Sequence, residues 1–175
     1  MKYTIICACG KEGEFGYKGE LPWKNNPYFK WDMKHFKEKT TNNVVIMGYK
    51  TYLTTGPLKN RYNYIVKHGE VPPVTASIGT AVMFYESLED IDQEIENNKE
   101  LFEGKELFII GGIKIIQEAL DKKMVNKIIL TQFPVEFKAD TYFPLARLVE
   151  FRIKSICNEY DENKYYRGNI TEYID

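Results

Sequence analysis

Apolar residues fall into short continuous runs along this chain, separated by polar stretches that carry glycine or proline. Tyr3 to Cys9 is the first run, partly β-branched, and reads as a strand buried on both faces, the kind found in parallel sheets. Val44 to Met47, closed by Gly48, repeats the pattern, as do Tyr62 to Val66, Ala81 to Tyr85, Glu106 to Ile110 and Lys127 to Phe133. Between these runs the period changes to that of a helix. Phe29, Met33 and Phe36 lie at i, i+4 and i+7 after Pro27, whose fixed φ suits a helix start. Lys50 to Leu53 is a short helix broken by Thr55-Gly56-Pro57-Leu58. Ser87-Leu88-Glu89-Asp90 reads as a capping box before Leu88, Ile91 and Ile95, and Ile113, Ile116 and Leu120 mark another helix.

The last two runs, Phe151 to Cys157 and Lys164 to Tyr173, follow one another without a helix and predict a closing antiparallel pair joined by 158–163. Gly10 to Glu20, with glycines at 10, 13, 16 and 19, reads as a mobile loop, and Glu70 to Ser77 as an exposed one. Neither a repeat nor a composition break divides the chain. The prediction is an α/β fold: one domain over residues 1–175, a mainly parallel central sheet with an antiparallel C-terminal edge, and helices on both faces.

Composition narrows the function. Lys and Arg number 24 against 25 Asp and Glu, a net charge of −1, so no basic field points to nucleic acid or to an anionic membrane. Cys7, Cys9 and Cys157 are odd in number and lack metal-ligand spacing, which predicts reduced core thiols in a cytoplasmic protein with no metal. The N-terminus does not read as a signal peptide, and no run reaches the length of a membrane span.

Asp32 is the principal candidate for chemistry. It borders or joins the stripe of Phe29, Met33 and Phe36, where a carboxylate needs a partner: a ligand, or solvent at the helix's wet edge. Ligands of such sheets bind beyond the carboxyl ends of the strands. Gly111-Gly112 follows a strand and opens a helix, a fit for a diphosphate or for a plain tight turn. Lys50, Lys67, His68 and Lys114 also follow strand ends and together suit a phosphate-rich ligand, although each alone reads as surface. Arg61 sits in a short polar turn, placed for a carboxylate or for a surface ion pair.

Taken in order, these residues resemble the dihydrofolate reductase family. The match runs through Gly16, Leu21-Pro22-Trp23, Asp32 with Phe36, Val45-Ile46-Met47-Gly48 with Thr51, Pro57-Leu58 with Arg61 and Asn63, Ile110-Gly111-Gly112, Thr131, and Asp140-Thr141-Tyr142-Phe143-Pro144. The resemblance implies reduction of dihydrofolate to tetrahydrofolate by hydride transfer from NADPH, with protonation of the pterin. Asp32 would be the acid of the pterin pocket, hydrogen-bonded by Thr131, with Trp23 holding a water beside it. Cys7, Ala8, Leu21, Met33, Phe36, Thr55, Leu58 and Ile110 would line the folate site, and Arg61 would bind the glutamate tail. Ala8, Phe15, Gly16, Gly48, Tyr49, Lys50, Thr51, Lys67, His68, Ile110, Gly111, Gly112, Ile113, Lys114 and Ile115 would hold the cofactor. A cis peptide is expected between Gly111 and Gly112, and the loop from Gly10 to Glu20 would close over the nicotinamide.

The chain departs from the family pattern in places. About four residues are inserted between Trp23 and Asp32, so the loop entering the helix should bulge. Tyr49 stands where an arginine often grips the 2′-phosphate, Tyr52 replaces a common tryptophan, and Thr55 a common aliphatic. Phe15, Ile113 and Ile116 are likewise unusual. The resemblance further implies a monomer without a fused thymidylate synthase, acting on small molecules and binding antifolate-type inhibitors. Two other readings share the fold: a flavin-pathway NADPH reductase, against which Asp32 and Arg61 speak, and a folate- or nucleotide-binding relative without turnover.

Overall fold

The structure is a computed structural model that describes residues 2–70 and 80–175; most of the expected loop at 70–77 lies outside them. In chain order the strands and α-helices are β1 (Tyr3–Cys9), β2 (Glu14–Gly16), α1 (Tyr28–Thr40), β3 (Val44–Gly48), α2 (Tyr49–Thr55), β4 (Tyr62–Val66) and β5 (Ala81–Tyr85). They continue with α3 (Leu88–Asn97), β6 (Leu107–Gly111), α4 (Ile113–Asp121), β7 (Val125–Gln132), β8 (Thr141–Tyr142), β9 (Arg152–Tyr160) and β10 (Tyr166–Ile174). Contacts group them into two compact units. One is Thr40–Met124 with the start of the chain; the other joins Thr4–Lys39 to Val125–Asp175.

In the first unit the strand order is β5-β4-β3-β6, and every pairing is parallel. Val44, Val45, Ile46 and Met47 are fully buried, which is why β3 is written without alternation. The β3–β6 register slips by one residue: Ile46 faces Ile109 and Met47 faces Gly111, so Ile110 is the extra residue of a bulge. The Ser87 hydroxyl caps α3 by accepting the Asp90 amide at 3.1 Å, and Leu88, Ile91 and Ile95 form its buried face, as the pattern predicts.

The second unit orders its main strands β1-β7-β10-β9, and β10 runs antiparallel to both neighbours. Two expectations need correction here. The closing pair is longer than predicted, because Asn158, Glu159 and Tyr160 continue β9 and the turn is 161–165. The backbone ladder and the Tyr160–Tyr166 ring contact at 5.7 Å outweigh polarity on a strand whose side chains face water. The glycine-bearing segment at 10–20 also contains structure. β2 pairs with β8, the Gly13 carbonyl accepts the Phe143 amide, and Asp140 Oδ2 accepts the Lys18 amide at 2.8 Å. Glu14 is buried there, a role its charge concealed. Gly168 (φ +133°) approaches the Gln132 carbonyl so closely that an added Cβ would sit 2.3 Å from the oxygen. β9 ends the strand order and exposes Ile153, between Arg152 and Lys154, and Ile156. Among the described residues no helix is long and apolar enough to cross a membrane.

Asn63 organises the turn that precedes β4. Fully buried, its Oδ1 accepts the Leu58 amide at 2.8 Å while Nδ2 donates to the carbonyls of Leu58, Arg61 and Ala81. Asn63→Ala orphans these groups and is expected to cost about 2–4 kcal/mol, since buried polar atoms left unpaired carry their full desolvation penalty. Urea unfolding checks this; a loss below about 0.5 kcal/mol would refute it.

Candidate active site

The residues inserted before Asp32 do not form a loose bulge. The Lys24 and Asn26 amides donate to the Leu21 and Trp23 carbonyls in successive turns. Asn26 Oδ1 then accepts the Tyr28 amide at 3.1 Å, and α1 begins at Tyr28. Asp32 therefore lies one turn inside the helix, and it is only 6% exposed. Of its two sequence-level settings, stripe or wet edge, it occupies the buried one.

Burial raises the Asp32 carboxyl from an ordinary 3.8 to about 6, while Trp23 and Thr131 pull it back. The buried Trp23 Nε1–H makes no direct hydrogen bond to a described protein atom. From β1, Cys7 faces the same carboxyl. Its thiol is pushed well up, first by burial and then by Cys9 and Asp32. Burial also pushes the Cys9 thiol up to about 12, which leaves both cysteines protonated core groups.

Trp23, 1% exposed, packs with Ala8 and the fully buried Phe133. Around them stand Tyr28, Phe29, Trp31, Val135 and Phe137. This aromatic cluster was not read from the sequence; its signal was Phe133, two residues after Thr131 and just past the end of β7. Met33 and Phe36 are half-buried on α1, Phe15 and Gly16 lie on β2, and Leu21 is at the exposed end of the range.

The first unit carries the other candidates. Gly48 and Gly112 meet: a Cβ on Gly48 would lie 3.8 Å from the Gly112 amide and 3.3 Å from Ile115 Cγ1, and one on Gly112 would lie 3.2 Å from Thr51 Oγ1. The Gly111–Gly112 peptide is cis. Gly112 caps α4 without a side chain, and its carbonyl accepts the Ile115 and Ile116 amides, so the amides of Ile113 and Lys114 have no acceptor within the helix. A backbone cradle free of side chains at a helix N-terminus fits a diphosphate. Lys50, His68 and Lys114 are exposed. Lys67 is half-buried, with Nζ 5.2 Å above the Tyr49 ring and donating to the Glu70 carbonyl.

Arg61 is buried in the same unit. Its Nε donates to Thr40 Oγ1 at 2.9 Å and its Nη1 to the Lys59 carbonyl at 2.7 Å, and burial lowers its pKa. The turn thus buries the guanidinium and does not leave it at the surface. Leu58 is half-buried beside it in the Asn63-held turn, and Thr55 donates to the Thr51 carbonyl at the end of α2. Ile110 is half-buried at its bulge, while Ile115 and Ile116 face the core.

The model of the dihydrofolate reductase family matches residues 2–174. Dihydrofolate reductase of Buchnera aphidicola is 30% identical over 172 residues, covering 94% of this chain and 96% of that protein. That of Heliothis virescens is 30% identical over 181 residues, covering 99% and 95%. A bifunctional dihydrofolate reductase-thymidylate synthase of Paramecium tetraurelia is 29% identical over 167 residues, and the match spans 32% of its length. Among solved structures, dihydrofolate reductase from Enterococcus faecalis complexed with NADP(H) and RAB-propyl superposes with a TM-score of 0.73 at 25% identity, covering 99% of this chain and 95% of that one.

Because the folded state raises the Asp32 pKa, it binds more protons than the unfolded chain between pH 3.8 and about 6. Stability therefore falls as pH rises through that window, by about 3 kcal/mol in all. Asp32→Asn is expected to remove this dependence and to be more stable than the parent at pH 7.5 by about 1–3 kcal/mol. Denaturant unfolding at pH 4.5 and 7.5 checks the sign, and a variant destabilised at pH 7.5 would contradict it.

Proposed function

Because the chain belongs to the dihydrofolate reductase family, we infer that it reduces 7,8-dihydrofolate to 5,6,7,8-tetrahydrofolate with NADPH. The observation that carries the site assignment is the buried Asp32 carboxyl, poised at about 6 between Trp23 and Thr131. NADPH supplies the hydride. Asp32 binds the amino and ring N–H groups of the pterin and favours a proton on the ring nitrogen beside the carbon that accepts the hydride. Thr131 orients the carboxyl. The buried Trp23 Nε1–H, without a direct protein partner, suits a water bridging it to Asp32. Cys7, Ala8, Leu21, Met33, Phe36, Thr55, Leu58 and Ile110 wall the substrate, and Arg61, stiffened by Thr40, receives the tail carboxylate.

For the cofactor, the cradle of Gly48, Thr51, Gly111 and Gly112 with the amides of Ile113 and Lys114 receives the diphosphate. Ile115 backs that cradle. Lys50, Tyr49, Lys67 and His68 form the phosphate-facing rim that favours NADPH over NADH, and Ala8, Phe15, Gly16 and Ile110 border the nicotinamide. The match over 2–174 supports one reductase domain for the whole chain. The same reading makes it a cytoplasmic monomer that acts on small molecules, binds antifolates and has no nucleic-acid, membrane or metal partner. The flavin-pathway alternative is not favoured by the family match.

Addition of dihydrofolate to the protein with NADPH should cause rapid loss of reduced-cofactor absorbance, slower with NADH. Asp32→Asn is expected to lower turnover at pH 7 by about 10²-fold or more while leaving NADPH binding intact. In the parent, kcat/KM should fall about tenfold per pH unit above about 6, because the protonated carboxyl is the active form. Unchanged turnover in the variant at pH 7 would refute the role of Asp32. Arg61→Leu should raise KM for dihydrofolate by about 10–100-fold with little change in kcat, the mark of lost uniform binding.

A further inference from the structure

Trp23 belongs to no helix or strand; the chain around it, from 22 to 25, is a series of turns. Backbone pairing therefore does not fix the direction of its indole ring, and packing must. The packing is aromatic. Phe133 meets the Trp23 ring edge-on at 5.0 Å and 60°, and Phe137 meets it at 5.7 Å. Phe133 is itself held on three further sides, stacked on Tyr28 at 5.1 Å and edge-on to Trp31 at 5.8 Å and to Phe137 at 6.0 Å. Its amide donates to the Cys9 carbonyl at 3.0 Å, which ties the residue to the end of β1.

Two placements make this more than core filling. Tyr28 and Trp31 stand at i and i+3 in the opening of α1, inside the stretch between Trp23 and Asp32, and Trp31 directly precedes the acid. Phe133 lies just past the end of β7, two residues after Thr131, where its amide bond to the Cys9 carbonyl fixes it against the end of β1. The two groups that pull on the Asp32 carboxyl, Trp23 and Thr131, are thus both tied to Phe133, one through its ring and one through the adjoining chain.

We propose that Phe133 is a positioning residue: its ring, gripped by Tyr28 and Trp31, clamps the Trp23 indole toward the Asp32 carboxyl. Offset and edge-on ring pairs have preferred angles, which a flexible aliphatic side chain does not impose. Phe133→Leu keeps the site apolar and removes the clamp. The indole dipole is then held less firmly beside the carboxyl, the charged form loses support, and Asp32 ionises at higher pH. The groups acting on Asp32 are Trp23 from the turns, Thr131 from β7 and the protonated Cys7 thiol from β1, and the substitution alters neither of the last two.

The inference rests on reading Asp32 as the acid of the site, and its test separates the two ideas. The chain has two tryptophans, so Trp31→Phe leaves Trp23 as the sole indole emitter and keeps a ring against Phe133. In that parent, Trp23 emission should titrate with a midpoint near 6, with no ligand present. Adding Phe133→Leu should raise the midpoint by about 0.5–1 pH unit and move the high-pH limb of turnover with it, while affinity for NADPH changes less than about twofold. An unmoved midpoint in a folded variant, or no titration near 6 in the parent, overturns the clamp. If Phe133→Leu does not fold by circular dichroism, Phe137→Leu, which removes the other ring on Trp23, must give a shift of the same sign, and an unmoved midpoint there overturns it equally. A parent whose turnover ignores the emission midpoint overturns the role of Asp32, while the emission shift still decides the clamp.

Discussion

A carboxyl held almost dry is the constraint on which the second unit depends. Burying Asp32 without polar neighbours would keep it protonated far above neutral pH; leaving it in water would let it ionise below 4. Burial against β1 and β7, moderated by an indole N–H and a threonine hydroxyl, sets it between these limits at about 6. The helix start fits this need. Asn26 ends the turns and caps α1 so that Asp32 falls one turn inside, on the buried side and not at the frayed end. The charged form is disfavoured at rest, and a ligand that offers N–H groups to the carboxyl relieves that cost on binding.

The first unit solves a different problem with almost no side chains. A diphosphate needs amides at close range, and the approach of Gly48 to Gly112 leaves no space for a Cβ at either position without displacing Ile115 or Thr51. Elsewhere in the unit the charged groups are anchored to different degrees. Arg61 is buried and fixed through Thr40 and Lys59, in a turn braced by Asn63. Lys67 rests above the Tyr49 ring, whose face attracts the ammonium.

Much of this was legible in the sequence because it was written in strong patterns. Val44 to Met47 needs a fully buried strand, Ser87 with Asp90 announces a cap, and Gly111-Gly112 after an apolar run marks a close backbone approach. What escaped was written in weak ones. β2 and β8 are two or three residues long and pair across more than a hundred positions, so no local period reveals them. Glu14 is charged and yet buried, and Asn158 to Tyr160 look like a turn and yet extend β9, because ladder bonds at a sheet edge tolerate polar side chains. The aromatic cluster escaped for a related reason. Tyr28, Trp31, Phe133 and Phe137 are ordinary apolar residues one at a time, and only the meeting of α1 with the end of β7 makes them a unit.

β9 has a consequence for how this chain lives among its own copies. Nine residues of edge backbone with Ile153 and Ile156 outward form a template onto which another chain can add a strand. A net charge of −1 gives little long-range repulsion between molecules, so protection falls to local gatekeepers. Arg152 and Lys154 are those gatekeepers. They keep like edges apart only over the Debye length, about 10 Å at 0.1 M salt and about 3 Å at 1 M. The colloidal behaviour of the protein is thereby tied to ionic strength through two side chains that take no part in its chemistry.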